Sequence, residues 1–206
     1  MSKIDPLDIW GKFESVDTPN QPDEIYKLLK DPALLYKIKL KLDESIVSED
    51  KNKLLLFLIA ASSYTKWPLS AIISGESSAG KSWLMNNILK FFDNVEDFTR
   101  ITTAAPDRLG QDFSHKILKV EELKGTEAAQ SSLRVWISEG KLKLLTTVKE
   151  NGQIKTTKIE TRGTPTFITT CTETEIDDEL QNRIYIFSVD ETIEQTKRIL
   201  KYEAEK

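Results

Sequence analysis

Residues 75–82 read Gly-Glu-Ser-Ser-Ala-Gly-Lys-Ser, the G-x-x-x-x-G-K-S spacing of a phosphate cradle. Residue types and spacing specify the chemistry. Backbone N–H groups of such a loop, with the helix terminus that follows, surround phosphate oxygens. Gly75 and Gly80 permit the backbone angles the loop needs. Glu76, Ser77, Ser78 and Ala79 form its body, and the last three are small enough for a tight turn. Lys81 neutralises the β- and γ-phosphates, and the Ser82 hydroxyl ligates Mg²⁺. Trp83 closes the segment as a packing residue at its edge. The alternative is a glycine-containing turn with no ligand.

A nucleotide site needs a second, acidic strand. "HKILKVEEL" at 115–123 supplies one, with Glu121 and Glu122 after an apolar stretch interrupted by Lys119. Glu121 is assigned to the metal through water and Glu122 to polarising the attacking water. A solvated acidic strand end is the competing reading. His115 has no partner at metal-ligand spacing and is read as structural.

The elements that must position these groups follow from the rest of the chain. Its 206 residues suit one domain with a helical addition, and 39% hydrophobic with 30% charged residues is a globular composition. A net charge of −4 means that any nucleic-acid surface must be local. One cysteine, Cys171, excludes an internal disulfide, and the absence of a signal pattern points to a cytoplasmic protein. The longest apolar run, "LLLFLIAA" at 54–61, is too short to span a bilayer.

Residues 1–20 read as an irregular arm. Pro22 and Pro32 suit the first turns of two helices. A third helix, over 48–64, is expected to be capped by Ser48 and to face the core with Leu54, Phe57, Leu58 and Ala61. Its "KNK" start reads as solvated. Strands are expected at 69–74, 98–103, 115–123, 164–173 and 182–189, and helices at 81–92, 128–140 and the carboxy-terminal end. Residues 141–162 have the marks of a hairpin around Asn151-Gly152. Alternating strands and helices predict an α/β fold with a mostly parallel sheet. Its expected domains are an amino-terminal arm and helices over 1–66, a core over 67–190 carrying the hairpin, and a final helix over 191–206.

The hairpin holds six basic residues against two acidic ones, a local charge of +4 in a chain of −4. Lys149 and Lys155 flank the turn and are the first candidates for phosphate contacts, with Lys143 and Lys158 beside them. Such contacts ignore sequence and weaken with salt. The alternative is a soluble hairpin whose lysines protect its edges.

Taken in order, "NKLLLFLIAASS", "SGESSAGKS", "HKILKVEEL", "SSLRVWISEGKL", "GTPTFITTCTETEIDDELQNR" and "FSVDET" resemble the AAA+ ATPases over about residues 48 to 200. More narrowly, they resemble the helicase domain of primase–helicase proteins, related to the minichromosome maintenance and superfamily 3 helicases. The resemblance implies a P-loop NTPase three-layer sandwich, ATP and Mg²⁺, and a ring, most often a hexamer. It implies single-stranded or forked DNA as partner, gripped by the hairpin, and a primase domain or protein as a further partner, with no membrane. "TPTFITTCTE" is similar to the sensor-1 strand, which puts Thr172 at its polar position in place of the usual Asn. "ELQNRIYIF" is similar to the arginine-finger segment, which makes Arg183 the residue acting on a neighbour's nucleotide. An ion pair with Asp177, Asp178 or Glu179 is the other reading of Arg183. The chain stops near where the family's lid begins, so an excised domain or a short member is expected. An ATP-switched loading factor and a small P-loop kinase are the rival functions; the lid arginine and acceptor pocket of the latter are not seen.

Overall fold

The computed structural model describes residues 23–76, 80–102, 105–121, 127–150, 153–172, 176 and 178–205. The chain divides into two compact units after Ile38. In the first lie α1 (Asp23–Leu29) and the start of α2 (Leu34–Asp43). Asp31 begins α2 as expected of a residue before proline: its carboxylate accepts the Ala33 N–H at 2.8 Å and the Lys37 ammonium at 2.5 Å.

The second unit holds α3 (Asp50–Ala61), β1 (Ala71–Ser74), α4 (Lys81–Leu89), β2 (Val95–Phe98), α5 (Ala105–Arg108) and β3 (Ile117–Val120). It continues with α6 (Glu127–Glu139), β4 (Lys141–Glu150), β5 (Gln153–Arg162), β6 (Thr166–Cys171), α7 (Asp178–Gln181), β7 (Tyr185–Ser188) and α8 (Ile193–Ala204). Five strands form one sheet in the order β2-β3-β6-β1-β7, and every pairing in it is parallel. The fold is α/β. A parallel sheet needs both faces covered, and β1, β3 and β6 are buried throughout. One face packs Ile72, Leu118, Val120 and Phe167 against Leu133 and Trp136 of α6. On the other side α3 and α4 pack together and against β6.

Four expectations are corrected. The second strand is Val95–Phe98, not 98–103. Its Glu96 and Asp97 hide the strand from a hydrophobic reading. As an edge strand it pairs them with Lys116 (2.6 Å), just before β3, and Lys119 (2.8 Å) of β3. Ser48 does not cap α3. Ser48 and Glu49 both take left-handed φ angles, 57° and 54°, and the Ser48 carbonyl accepts the Lys53 ammonium at 2.8 Å. The core stripe of α3 is Leu56, Ile59 and Ala60, while Leu58 is 46% exposed and Leu54, Phe57 and Ala61 are half-buried. Lys53 of the "KNK" start is fully buried and ion-paired to Asp43 and Asp50, which also bind Lys39.

β4 and β5 form a separate antiparallel ribbon, in register from Lys141↔Arg162 to Glu150↔Gln153. The turn pair Asn151-Gly152 lies outside the described residues. The ribbon's base is fixed to the core. Leu142 and Thr161 are buried, and Thr161 Oγ1 accepts the Gly110 N–H at 3.0 Å. Phe113 donates its N–H to the Arg162 carbonyl at 2.8 Å and meets Trp136 edge to face, centroids 5.0 Å apart. The Trp136 indole N–H bonds the Gly163 carbonyl at 2.8 Å.

Candidate nucleotide site and basic ribbon

The cradle stands between the buried strand β1 and the first residue of α4. Gly80 has φ 84°, a left-handed angle in open space, so glycine is selected there by conformation and not by crowding. Gly75 has φ 151° and a different reason as well: a Cβ on it would collide with the Glu191 carboxylate. Lys81 is buried inside the loop, its ammonium donating to the carbonyls of Gly75, at 2.8 Å, and Glu76. Ser82 is exposed in the first turn of α4. Ser77, Ser78 and Ala79 lie outside the described residues.

The sheet order sets the other groups beside this loop. β6 lies between β1 and β3, and the three run the same way. Gly75, Thr172 and Glu121 therefore leave neighbouring strands at the same end, the crevice where open α/β sheets bind ligands. Glu121 is exposed. Its N–H donates to the Phe98 carbonyl at 3.1 Å, its carbonyl accepts the Thr170 hydroxyl, and its carboxylate lies 3.7 Å from the Lys119 ammonium. Lys119 is thus a buried cation held by Asp97 and Glu121, not a flaw in an apolar strand. Thr172 is exposed just past β6. Glu122 lies outside the described residues. Ser82 and Glu121 are hard oxygen donors, and two protein ligands suit Mg²⁺, which keeps waters and takes its remaining ligands from phosphates. Among the described residues no group of three or more His, Cys, Asp or Glu side chains is placed to hold a metal.

Beside the loop opens a cavity of about 660 Å³. Its apolar wall comes from Ile46, Trp83, Leu84, Ile199 and Leu200. Trp83 is 57% exposed, and its indole N–H donates to the Ser45 carbonyl at 3.1 Å. The rim is acidic, with Glu49, Glu76, Asp190, Glu191 and Glu203 and no lysine or arginine among its described lining residues. The segment after β7 is tied across the cavity. Asn52 donates to the Ser188 carbonyl at 2.8 Å, Glu49 accepts the Asp190 N–H at 2.6 Å, and buried Gln195 donates to the Val47 carbonyl at 2.8 Å. The Thr192 hydroxyl and then its N–H hold the Asp190 carboxyl below its ordinary value. Asn52, Glu191 and Gln195 were not reached from sequence, because each acts on a partner more than a hundred residues away.

Arg183 is exposed. It donates from Nε to the Ser138 hydroxyl at 2.7 Å and from a terminal nitrogen to the Glu179 carbonyl. The Glu179 carboxylate binds Arg134 at 2.5 Å. Arg183 is therefore anchored on α6 and α7 through neutral acceptors.

The ribbon sorts its charges by register. Lys141, Lys143, Lys149, Lys158 and Arg162 occupy positions of one face with a single acid, Glu160. Lys155 and Glu150 occupy the other face. The whole +4 excess thus belongs to one face, and the two turn-flanking lysines are divided between faces. The described side chains of the basic face are exposed or half-exposed, including Leu145 at 73% and Ile154 at 76%. Lys158 first, and Arg162 beside it, bring the Glu160 carboxyl down to about 2, so this acid stays ionised between them. Among the described residues no helix is long and apolar enough to cross a membrane. No protein-family model matches the chain, and no curated protein matches it.

Proposed function

We propose that the chain is a Mg²⁺-dependent ATPase of AAA+ type that works as a hexameric ring on single-stranded or forked DNA in the cytoplasm. A primase domain or protein is the partner that fits this role. One observation carries the reading: a glycine cradle with a buried lysine, a polar strand end and an acidic strand end leave three adjacent parallel strands at one edge. In this reading the loop amides and Lys81 bind the phosphates. Ser82 and Glu121 hold Mg²⁺, which when bound offsets the charge of the β- and γ-phosphates. Glu122 takes the proton of the attacking water, and Thr172 orients that water. Arg183, anchored but exposed and absent from the lining of its own chain's cavity, suits action on a neighbour's nucleotide. The one-sided charge of the ribbon supports sequence-independent contact with a phosphate backbone.

ATP hydrolysis with and without single-stranded DNA, in the wild type and Glu122→Gln, tests this. DNA stimulation that disappears in Glu122→Gln supports a DNA motor. Hydrolysis indifferent to DNA favours the second reading, an ATP-switched loading factor. That reading draws on Tyr185 and Ile186, exposed on the edge strand β7, where a protein partner can add.

A further inference from the structure

Glu191 sits between β7 and the Thr192 cap of α8, yet its carboxylate reaches into the cradle. Its Oε1 accepts the Glu76 backbone N–H at 2.6 Å. The same oxygen fills the space a Cβ on Gly75 would need. Within the loop the Lys81 ammonium is already bound to two backbone carbonyls. Two of the described loop groups are therefore satisfied from within the chain: an anion answers the Glu76 amide, and carbonyls answer the Lys81 cation. A bound phosphate asks for the same groups, amide donors and the ammonium. A carboxylate and a phosphate held side by side repel strongly in such a recess. Glu76, Asp190 and Glu203 on the rim add to that repulsion.

We propose that Glu191 is an intramolecular gate: a carboxylate that binds into the cradle and must swing out when a phosphate ligand enters. The inference rests on the nucleotide reading of this loop. The neighbouring residues hold the hinge in place. Asp190 is fixed to Glu49, and Thr192 caps α8 by accepting the Gln195 N–H at 3.2 Å. Glu191 itself is exposed, so its side chain can rotate into solvent without moving either anchor. The gate sets a cost that grows with the negative charge of the ligand.

Calorimetric titration of Mg·ATP, ADP and adenosine into wild type, Glu191→Gln, Glu191→Ala and Lys81→Ala tests it. Both Glu191 variants are expected to bind ATP about tenfold more tightly, the scale of one charge-assisted hydrogen bond. The gain is smaller for ADP and absent for adenosine. Unchanged or weaker ATP binding in both variants, with wild-type binding intact and Lys81→Ala defective, overturns the gate alone. A wild type that binds none of the three overturns the nucleotide reading and the gate with it. Melting temperatures within about a degree of wild type show that the variants fold.

Discussion

The Lys81 ammonium finds its partners within the chain, whereas on the ribbon five cations share a face with one acid. Gly75 and Lys81 of the loop are buried, and the Glu76 N–H is bonded to Glu191, more than a hundred residues away. The described part of the ribbon is held to the core at its base, and beyond it Leu145, Thr147 and residues 154–158 are exposed. Under the proposed function these are two kinds of binding surface. The first would exchange internal contacts for a ligand, and the second would offer an excess of positive charge already open to solvent. An isolated two-stranded ribbon is marginal in water, so its outer half gains most from a partner.

Substitutions break this contrast at graded cost. The largest effect is expected at Lys81. Lys81→Ala should lower ATP turnover at least about a hundredfold, the scale of one lost charge stabiliser at a transferring phosphoryl group, while leaving salt-sensitive DNA binding intact. Loss of both together would join the two regions into one site. Next is Lys53, fully buried below the turn that carries Ser45 to Glu49 along the cavity. Lys53→Met leaves two carboxylates without their shared cation and should cost about 2–4 kcal/mol by chemical denaturation, less than a fully buried pair because both acids are partly exposed.

The same network predicts acid sensitivity. Burial alone would raise the Asp43 carboxyl, but bonds from Lys53 and Lys39 outweigh it and hold it below its ordinary 3.8. Asp50 is lowered by the same two lysines, Lys53 first. Depressed carboxyls stabilise the fold fully above their unfolded values and lose that contribution as pH falls through the lower folded values. Stability should therefore decline below about pH 4 in the wild type, and less steeply in Lys53→Met.

The ribbon gives smaller effects. Lys143→Glu with Lys158→Glu should weaken single-stranded DNA binding about tenfold at moderate salt and flatten its salt dependence, as measured by anisotropy. Lys155→Glu, on the other face, should change it by less than about threefold. Equal losses from both would mean that the ribbon's edge, and not one face, meets the nucleic acid.

The cradle, the parallel sheet and the hairpin were legible because each has a short-range signature: Gly-x₄-Gly-Lys-Ser, alternating apolar runs, and two β-rich arms. The facing of α3 was not, since Leu54 to Ala61 is apolar on all sides and fixes no phase. Lys53 looked solvated because Asp43, its partner, lies on α2. β2 was missed for a similar reason: Glu96 and Asp97 make sense only beside Lys116 and Lys119. The facing of the ribbon lysines needed the register, since a one-residue difference moves a side chain to the opposite side. What sequence spacing cannot carry is a partner brought from afar, and Glu191 is the clearest case.

Trp83 gives the cavity an optical property. Its indole lies half in water on the cavity wall, while Trp136 is sealed in the core and Trp67 stands in solvent. A ligand that fills the cavity strips water from Trp83 and leaves Trp67 and Trp136 as they were, while the fourth indole, Trp10, lies outside the described residues. With Trp10 replaced by phenylalanine, the emission of Trp83 then moves toward shorter wavelength against a steady background, so occupancy can be followed in unlabelled protein by the colour of its own light.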